Sequence, residues 1–477
     1  MPITIGTRDL IAILPIAVVS LFGLYLLLQS VFAPRMNRII IPYLGIVGVV
    51  LALVSNFVLI GMDTTAFEGM VRVDRLTVVL NFVFLITAAL SLLMTISYHE
   101  QERVEFLEFT PLVLFSTAGM MLMGSAESLM TLFLGLETMS IALYVMAGFR
   151  RTNRHSLEAA LKYFLLGAFA TGFLLYGMAL TYGMVGSTNL TQIANYFAQN
   201  ALDVKLVALI GLGLIIIGFG FKVALVPFHM WTPDVYQGSP MPVTAFMAVG
   251  AKAAGFAAIL RVISLSAFSI SFHWTEVMWV LAVLTMTVGN IIALVQDNIK
   301  RMLAYSSIAH AGYILVGIVA SNDMTVPSVA FYLIVYLFMN LGAFAVATMV
   351  AGQNERRVKI QYYHGLGRTQ PLLALAMAIF MFSLAGFPPT AGFIGKFYIF
   401  SAALQSGYVW LVIIGVINSL ISVYYYLNVV VAMYMHQPVD DKKLPGVLPG
   451  VGVVILLAVL GIFYLGIFPG TMLSVLR

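Results

Sequence analysis

The chain of 477 residues contains no cysteine. Thiolate-held iron–sulfur clusters, c-type haem and disulfides are thereby excluded within it. Charge is nearly as scarce: Asp, Glu, Lys and Arg make up 9% of the residues, against about 25% in a soluble domain. The seven histidines are His99, His155, His229, His273, His310, His364 and His436. Only His229 and His310 fall at or within an apolar run, which leaves little for a bis-histidine haem. Redox chemistry is therefore expected on other chains. Nucleotide-binding fingerprints are missing too, because GLGLIIIGFG (211–220) lies inside an apolar stretch and reads as helix packing.

What is abundant is apolar surface. Hydrophobic residues make up 61% of the chain and the mean hydropathy is +1.02, whereas soluble domains are about 45–50% apolar. The fold class is therefore an all-α polytopic membrane protein, a single membrane domain over 1–477. The run from Leu10 to Phe32 is too long for a signal h-region and lacks a basic segment before it, so it is expected to stay as an anchor. With about 20 apolar residues needed per crossing, the expected spans are 8–33, 39–61, 76–98, 109–125, 127–148, 157–183, 203–230, 240–264, 275–296, 301–321, 327–350, 371–402, 409–436 and 446–470. That is about 14 transmembrane helices, the fourth and fifth separated only by GSAE (124–127).

Basic residues orient the chain. Alternating the loops places Arg35, Arg38, Arg103, Arg150, Arg151, Arg154, Lys300, Arg301, Arg356, Arg357, Lys359, Arg368, Lys442 and Lys443 on one side, read as cytoplasmic. Arg8, Arg72, Arg75, Lys205, Arg261 and Arg477 fall on the other. An even span number then puts both termini outside. Four of the 24 basic residues remain, Lys162, Lys222, Lys252 and Lys396, all within spans, and Glu137 is the one acid in the middle of a span. A charge at that depth costs about 3 kcal/mol on insertion scales, so it is seldom kept without a task.

Two spans are expected to be discontinuous. Pro227 breaks the seventh, and AGFPPTAG (385–392) breaks the twelfth. Breaks five spans apart suggest two inverted five-helix repeats, spans 4–8 (109–264) and 9–13 (275–436), flanked by peripheral helices 1–3 (1–98) and a last helix (446–470). Lys222 and Lys396 lie within two turns of the breaks, where unwound carbonyls can solvate an ammonium; the alternative is snorkelling to the interface. Lys252 sits among Ala and Gly about 18 Å from its helix start, too far to snorkel easily. Lys162 follows Glu158 by one turn, so pairing or snorkelling competes with a relay role. His229 either passes protons to Lys222 or caps the break. His310 is either a relay imidazole beside Ser306, Ser307 and Tyr313 or a satisfied structural histidine. Tyr424, Tyr425 and Tyr426 read as packing or outlet polarity. Glu137 needs a partner, and Lys222 is the expected one. At an effective dielectric of about 20, parting such a pair from about 4 Å to about 8 Å weakens it from about 4 to about 2 kcal/mol.

FKVALVPFHMWTPDVYQGSPMPVTAF (221–246), DNIKRMLAYSSIAHAGY (297–313) and SLAGFPPTAGFIGKFY (383–398) resemble the antiporter-like subunits of respiratory complex I, the proton-pumping NADH:quinone oxidoreductase. The likeness covers nearly the whole chain. VYQGSPMPVTAF, the length and the twelfth-span lysine are most similar to the subunit N branch. The chain ends without the lateral helix typical of the L branch and has Lys396 where the M branch usually has glutamate. The resemblance implies a fourteen-helix fold and a proton relay of Glu137, Lys222, Lys252, His310 and Lys396, with Lys162 and His229 as secondary candidates. It also implies other membrane-arm subunits as partners, FMN, iron–sulfur clusters and quinone on those partners, and residence in the bacterial inner membrane. Multisubunit cation/proton antiporters and membrane-bound hydrogenases or dehydrogenases share these motifs and form the alternative.

Overall fold

The computed structural model describes residues 6–32, 40–102, 107–199, 206–266, 271–439 and 446–476. Of the basic residues used for orientation, Arg35, Arg38, Arg103, Lys205, Lys442, Lys443 and Arg477 lie outside them. The described chain is helical apart from short connections and one small hairpin, Thr64–Ala66 against Val71–Val73. Twelve helices among the described residues are long and apolar enough to cross a membrane. The fourth and twelfth expected spans correspond to two shorter apolar helices, Phe109–Gly124 and Pro371–Ala385.

The layering follows from which segments are apolar all round. Met241–Val262, Ile299–Ala320 and Thr325–Ala351 are at least 94% buried over their apolar windows and form the core. Leu14–Phe32 and Pro449–Ile467, only 33% and 28% buried, keep apolar faces turned outward, as lipid permits. Phe109–Gly124 and Leu129–Ala147 form a tight hairpin because Gly119 meets backbone: a Cβ there would lie 2.5 Å from the Met139 nitrogen.

Both expected breaks are present. Leu206–Val223 stops where Ala224 takes φ +61°, and the chain resumes as a helix at Trp231–Gly238. The freed groups find new partners, as they must in an apolar layer: Val226 N–H donates to Thr285 Oγ1 at 3.1 Å, and Trp231 Nε1 donates to Phe221 O at 2.9 Å. Pro371–Ala385 ends on Gly386, whose φ of +92° favours glycine. The helix restarts at Ala391–Gln405. The eighth span is not one uniform helix: Met241–Phe246 passes through a π-helical turn, Met247–Ala251, into Lys252–Ser266. An additional amphipathic helix, Leu190–Gln199, buries Leu190, Ile193 and Phe197.

Charges gather at the two ends of the bundle. At one end, Arg72 lies 3.8 Å from Glu127, and Arg261 holds Asp74 at 2.5 and 2.8 Å. At the other, past the far end of Leu129–Ala147, Arg150 lies 3.6 Å from Glu102. Glu355 organises that second end. It binds Lys300 at 2.8 Å and accepts from Tyr98 Oη at 3.0 Å and Met241 N–H at 2.7 Å, with Arg150 at 4.0 Å. One carboxylate thus ties the third, eighth and tenth spans to the turn after the fifth. Burial pushes the Glu355 carboxyl up, but Lys300, Arg150 and the Met241 N–H together bring it below its ordinary value.

A folded-state pKa below the unfolded one adds stability that is fully present above the unfolded value, near 4.5, and is lost as pH falls through the folded value. Glu355→Gln is expected to cost about 3–5 kcal/mol at neutral pH by stranding Lys300. Thermal unfolding of the purified protein in detergent, followed from pH 7 toward pH 4, checks this: the gap between wild type and variant narrows on the acid side.

Candidate functional site

The candidate site is a row of buried cations through the middle of the bundle. Lys222, one residue before the end of Leu206–Val223, is 4% exposed. Its ammonium donates to Ser140 Oγ at 2.6 Å and Tyr144 Oη at 3.2 Å. It also lies 5.1 Å from the centroid of the Tyr144 ring and 5.5 Å from that of Tyr163, within cation–π range. Glu137 sits one turn before Ser140 on the same helix and accepts from Thr171 Oγ1 at 2.9 Å. No direct ion pair joins Glu137 to Lys222. Ser140 takes the Lys222 ammonium and donates in turn to Leu136 O.

Lys252, 2% exposed, begins the helix that follows the π turn. Its ammonium donates to Ser307 O at 2.5 Å and to Ser307 Oγ. Gly255, one turn further, abuts Lys222: a Cβ there would lie 3.6 Å from the Lys222 Cβ. The two lysines therefore occupy neighbouring helices at similar depth. His310, 1% exposed, is engaged through both nitrogens, Nδ1 with Tyr332 Oη at 2.6 Å and Nε2 with Tyr426 Oη at 3.1 Å. Tyr426 also bonds Ser306 Oγ, next in sequence to the Ser307 that holds Lys252. A chain of hydroxyls and imidazole thus runs Ser306, Tyr426, His310, Tyr332. Each member both donates and accepts, the property that lets a proton pass along.

Lys396, 4% exposed, lies against the second break. It donates to Leu384 O at 3.2 Å, Ala385 O at 2.9 Å and Ser419 Oγ at 2.8 Å. The carbonyls released where the helix stops do solvate this ammonium. Lys222 differs, since side-chain hydroxyls and ring faces hold it. Tyr313 bridges toward His310, with its ring centroid 4.9 Å from Lys396 Nζ and 5.6 Å from the imidazole. Asn290 Nδ2 donates to the Tyr313 hydroxyl at 3.0 Å, and Asn290 Oδ1 accepts from Tyr425 at 2.9 Å. None of Lys222, Lys252 and Lys396 is ion-paired among the described residues.

Two candidates lie apart from the row. Lys162 is 40% exposed and forms ion pairs with Glu158 at 2.7 Å and Asp234 at 2.6 Å; Asp234 also takes Arg301 at 2.7 Å. The local pairing expected from the i,i+4 spacing is present and a second acid completes it. His229 is 8% exposed in the first break, and its Nδ1 has no hydrogen-bond partner among the described residues. Sequence reasoning missed Ser140, Tyr144, Thr171 and Tyr332, whose hydroxyls are ordinary helix residues until a charge is placed opposite them. It also gave too little weight to Tyr426, which differs from its neighbour Tyr424 by being fully buried where Tyr424 is 66% exposed. Among the described residues, no group of three or more His, Asp or Glu is placed to hold a metal ion.

Known proteins resemble this chain in sequence and fold. A sequence model of the family described as NADH:quinone oxidoreductase/Mrp antiporter, TM, matches residues 126–422. NADH-quinone oxidoreductase subunit N of Trichlorobacter lovleyi is 49% identical over 98% of this chain and 96% of its own length. Its counterpart in Chloroflexus aggregans is 43% identical over 100% and 98%. A chain of respiratory complex I from Thermus thermophilus with bound aureothin superposes with a TM-score of 0.82 at 36% identity, covering 96% of this chain and 98% of that one. With the family match spanning more than half of the sequence, the chain belongs to the NADH:quinone oxidoreductase/Mrp antiporter transmembrane family.

Proposed function

We propose that this chain is an antiporter-like subunit in the membrane arm of an NADH:quinone oxidoreductase and carries protons across the membrane through Glu137, Lys222, Lys252, His310 and Lys396. The observation that carries the reading is the electrostatic one. Three ammonium groups, each at most 4% exposed, are held by hydroxyls and carbonyls rather than by carboxylates, an arrangement that stabilises the cation less firmly than an ion pair. Such groups give up and regain protons when a nearby charge moves. A proton taken up from the cytoplasmic side loads Lys222, passes Lys252 and the Ser306–Tyr426–His310 chain, and leaves beside Lys396. Lys162 and Asp234, at the cytoplasmic rim, serve the uptake side, and His229 stands at the first break.

Movement of Glu137 toward Lys222 supplies the gating charge. Closing the pair from about 8 Å to about 4 Å strengthens it by about 2 kcal/mol, comparable to the about 2.3 kcal/mol needed to move one proton against 100 mV. One pair therefore has no surplus, and the coupled row distributes the load. The chain acts as a translocase component without redox chemistry of its own. FMN, iron–sulfur clusters and quinone belong to partner subunits, in keeping with a sequence free of cysteine. The reading places it in a bacterial inner membrane with both termini on the periplasmic side.

The same reading takes residues 109–264 and 275–436 as inverted repeats. Two features support it. Each unit has a broken helix with a lysine beside the break, and each opens with a helix pair crossing at glycine: a Cβ at Gly289 would lie 2.7 Å from the Ala309 nitrogen, as one at Gly119 would lie 2.5 Å from that of Met139.

Glu137→Ala and Lys222→Ala, assembled into the complete oxidoreductase and reconstituted in vesicles, are expected to lower protons translocated per NADH oxidised. Transfer through this chain slows on the order of 10²-fold, the usual contribution of a positioned proton carrier. Unimpaired pumping in both variants overturns the route. Tyr426→Phe removes only the hydroxyl joining Ser306 to His310. It is expected to slow transfer about tenfold, less severely than Lys222→Ala, with assembly intact on native gels; wild-type pumping in this variant removes Tyr426 from the path.

A further inference from the structure

Away from the lysine row, a recess of about 1080 Å³ opens on the outer surface of the bundle. Phe57, the turn that follows it and Arg75–Glu102 form one wall, and Thr325–Ala351, Pro449–Ile467 and the short helix Pro469–Leu476 form the other. Its sides are apolar, with Phe57, Val79, Phe82, Leu337 and Val475 among them. The recess runs along Arg75–Glu102 from Arg75 at its mouth to Ile86 at its far end. Eleven residues at 1.5 Å each make that about 16 Å, or half of a hydrocarbon layer about 30 Å thick. The groove therefore has the depth of one leaflet.

Its mouth is polar in a specific way. Arg75 is exposed, and its guanidinium has no partner among the described residues. Asp63 is 78% exposed and forms a surface ion pair with Arg72 at 3.7 Å. Asp74 also borders the mouth but is already held by Arg261 at 2.5 and 2.8 Å. Arg75 is thus unpaired among the described residues, and Asp63, held only by a surface ion pair with Arg72, stays largely open to solvent at the level where the apolar walls end.

We infer that this groove is a binding site for a single phospholipid with an ethanolamine headgroup. Its acyl chains lie against Val79, Phe82 and Leu337, its phosphate meets the Arg75 guanidinium, and its ammonium donates to Asp63. The paired charges select the occupant. A purely anionic headgroup would satisfy Arg75 but face Asp63 with like charge, and a choline headgroup has no N–H to donate. The lipid fills the gap between the second and third spans and the last ones, so it fastens peripheral helices to the core.

The test uses the assembled complex extracted from its host membrane in mild detergent, with bound lipid measured by native mass spectrometry and by extraction. The wild type is expected to retain one phosphatidylethanolamine at this chain. Arg75→Glu should retain about tenfold less, Arg75→Lys should retain it nearly as well, and Asp63→Asn should admit phosphatidylglycerol in its place. Pumping measured alongside keeps this result separate from the proton route. Equal phosphatidylethanolamine in wild type and Arg75→Glu overturns the site, as does retention of phosphatidylglycerol by the wild type. A cross-link from Val475→Cys to another subunit overturns it too, by showing that protein covers the groove.

Discussion

An ammonium group inside a bilayer-spanning bundle has to be solvated by the protein itself, and the rest of this molecule follows from that requirement. Lys222, Lys252 and Lys396 meet it in three ways: hydroxyls and ring faces, a serine that offers both its hydroxyl and its carbonyl, and the carbonyls of a helix that stops early. Each solution constrains the fold around it. The hydroxyls require Ser140 and Tyr144 on the fifth span to face the seventh. The serine requires the eighth and tenth spans to touch at Lys252. The carbonyls require the twelfth span to be interrupted where Lys396 can reach. None of these partners is a carboxylate among the described residues.

The ionic pairs that are strong lie at the ends of the bundle. Glu355 with Lys300 and Arg150, and Asp74 with Arg261, clamp helices from both halves of the chain where water is near. This separation assigns rigidity to the rims and responsiveness to the interior. Broken helices fit the same division, since the residues between Ala224 and Met230 and between Gly386 and Thr390 leave groups whose partners can be exchanged at modest cost.

Much of this was legible from residues alone. Long apolar runs placed the membrane helices, Pro227 and the prolines of AGFPPTAG placed the breaks, and the scarcity of charge made Glu137 and the four lysines conspicuous. Among the described basic residues, Arg150 and Lys300 gather about Glu355, and Arg72 and Arg261 about Asp74. Legibility failed where the signal is a relation between distant positions. Glu355 lies in GQNERR between two apolar runs, and nothing local announces that it joins Lys300 from another helix. Ser140 and Thr171 are indistinguishable in sequence from hydroxyls that bond their own helix. The direct Glu137–Lys222 pair expected from opposite charge is absent in this state because Ser140 and Thr171 take up the two groups separately. The helix Leu190–Gln199 carries apolar residues at 190, 193 and 197, a period that was readable but too short to stand out between two membrane spans.

The π turn at Met247–Ala251 has a bearing on how this helix tolerates change. A turn of that kind accommodates one residue more than an α-helix does, which rotates everything beyond it by about 100°. The azimuth of Lys252 is thus set by a miscount in the winding rather than by any contact of its own. Insertions and deletions that leave composition and length of span nearly untouched would still swing the ammonium away from Ser307, so the register of this segment is a coordinate on which the whole row is hung.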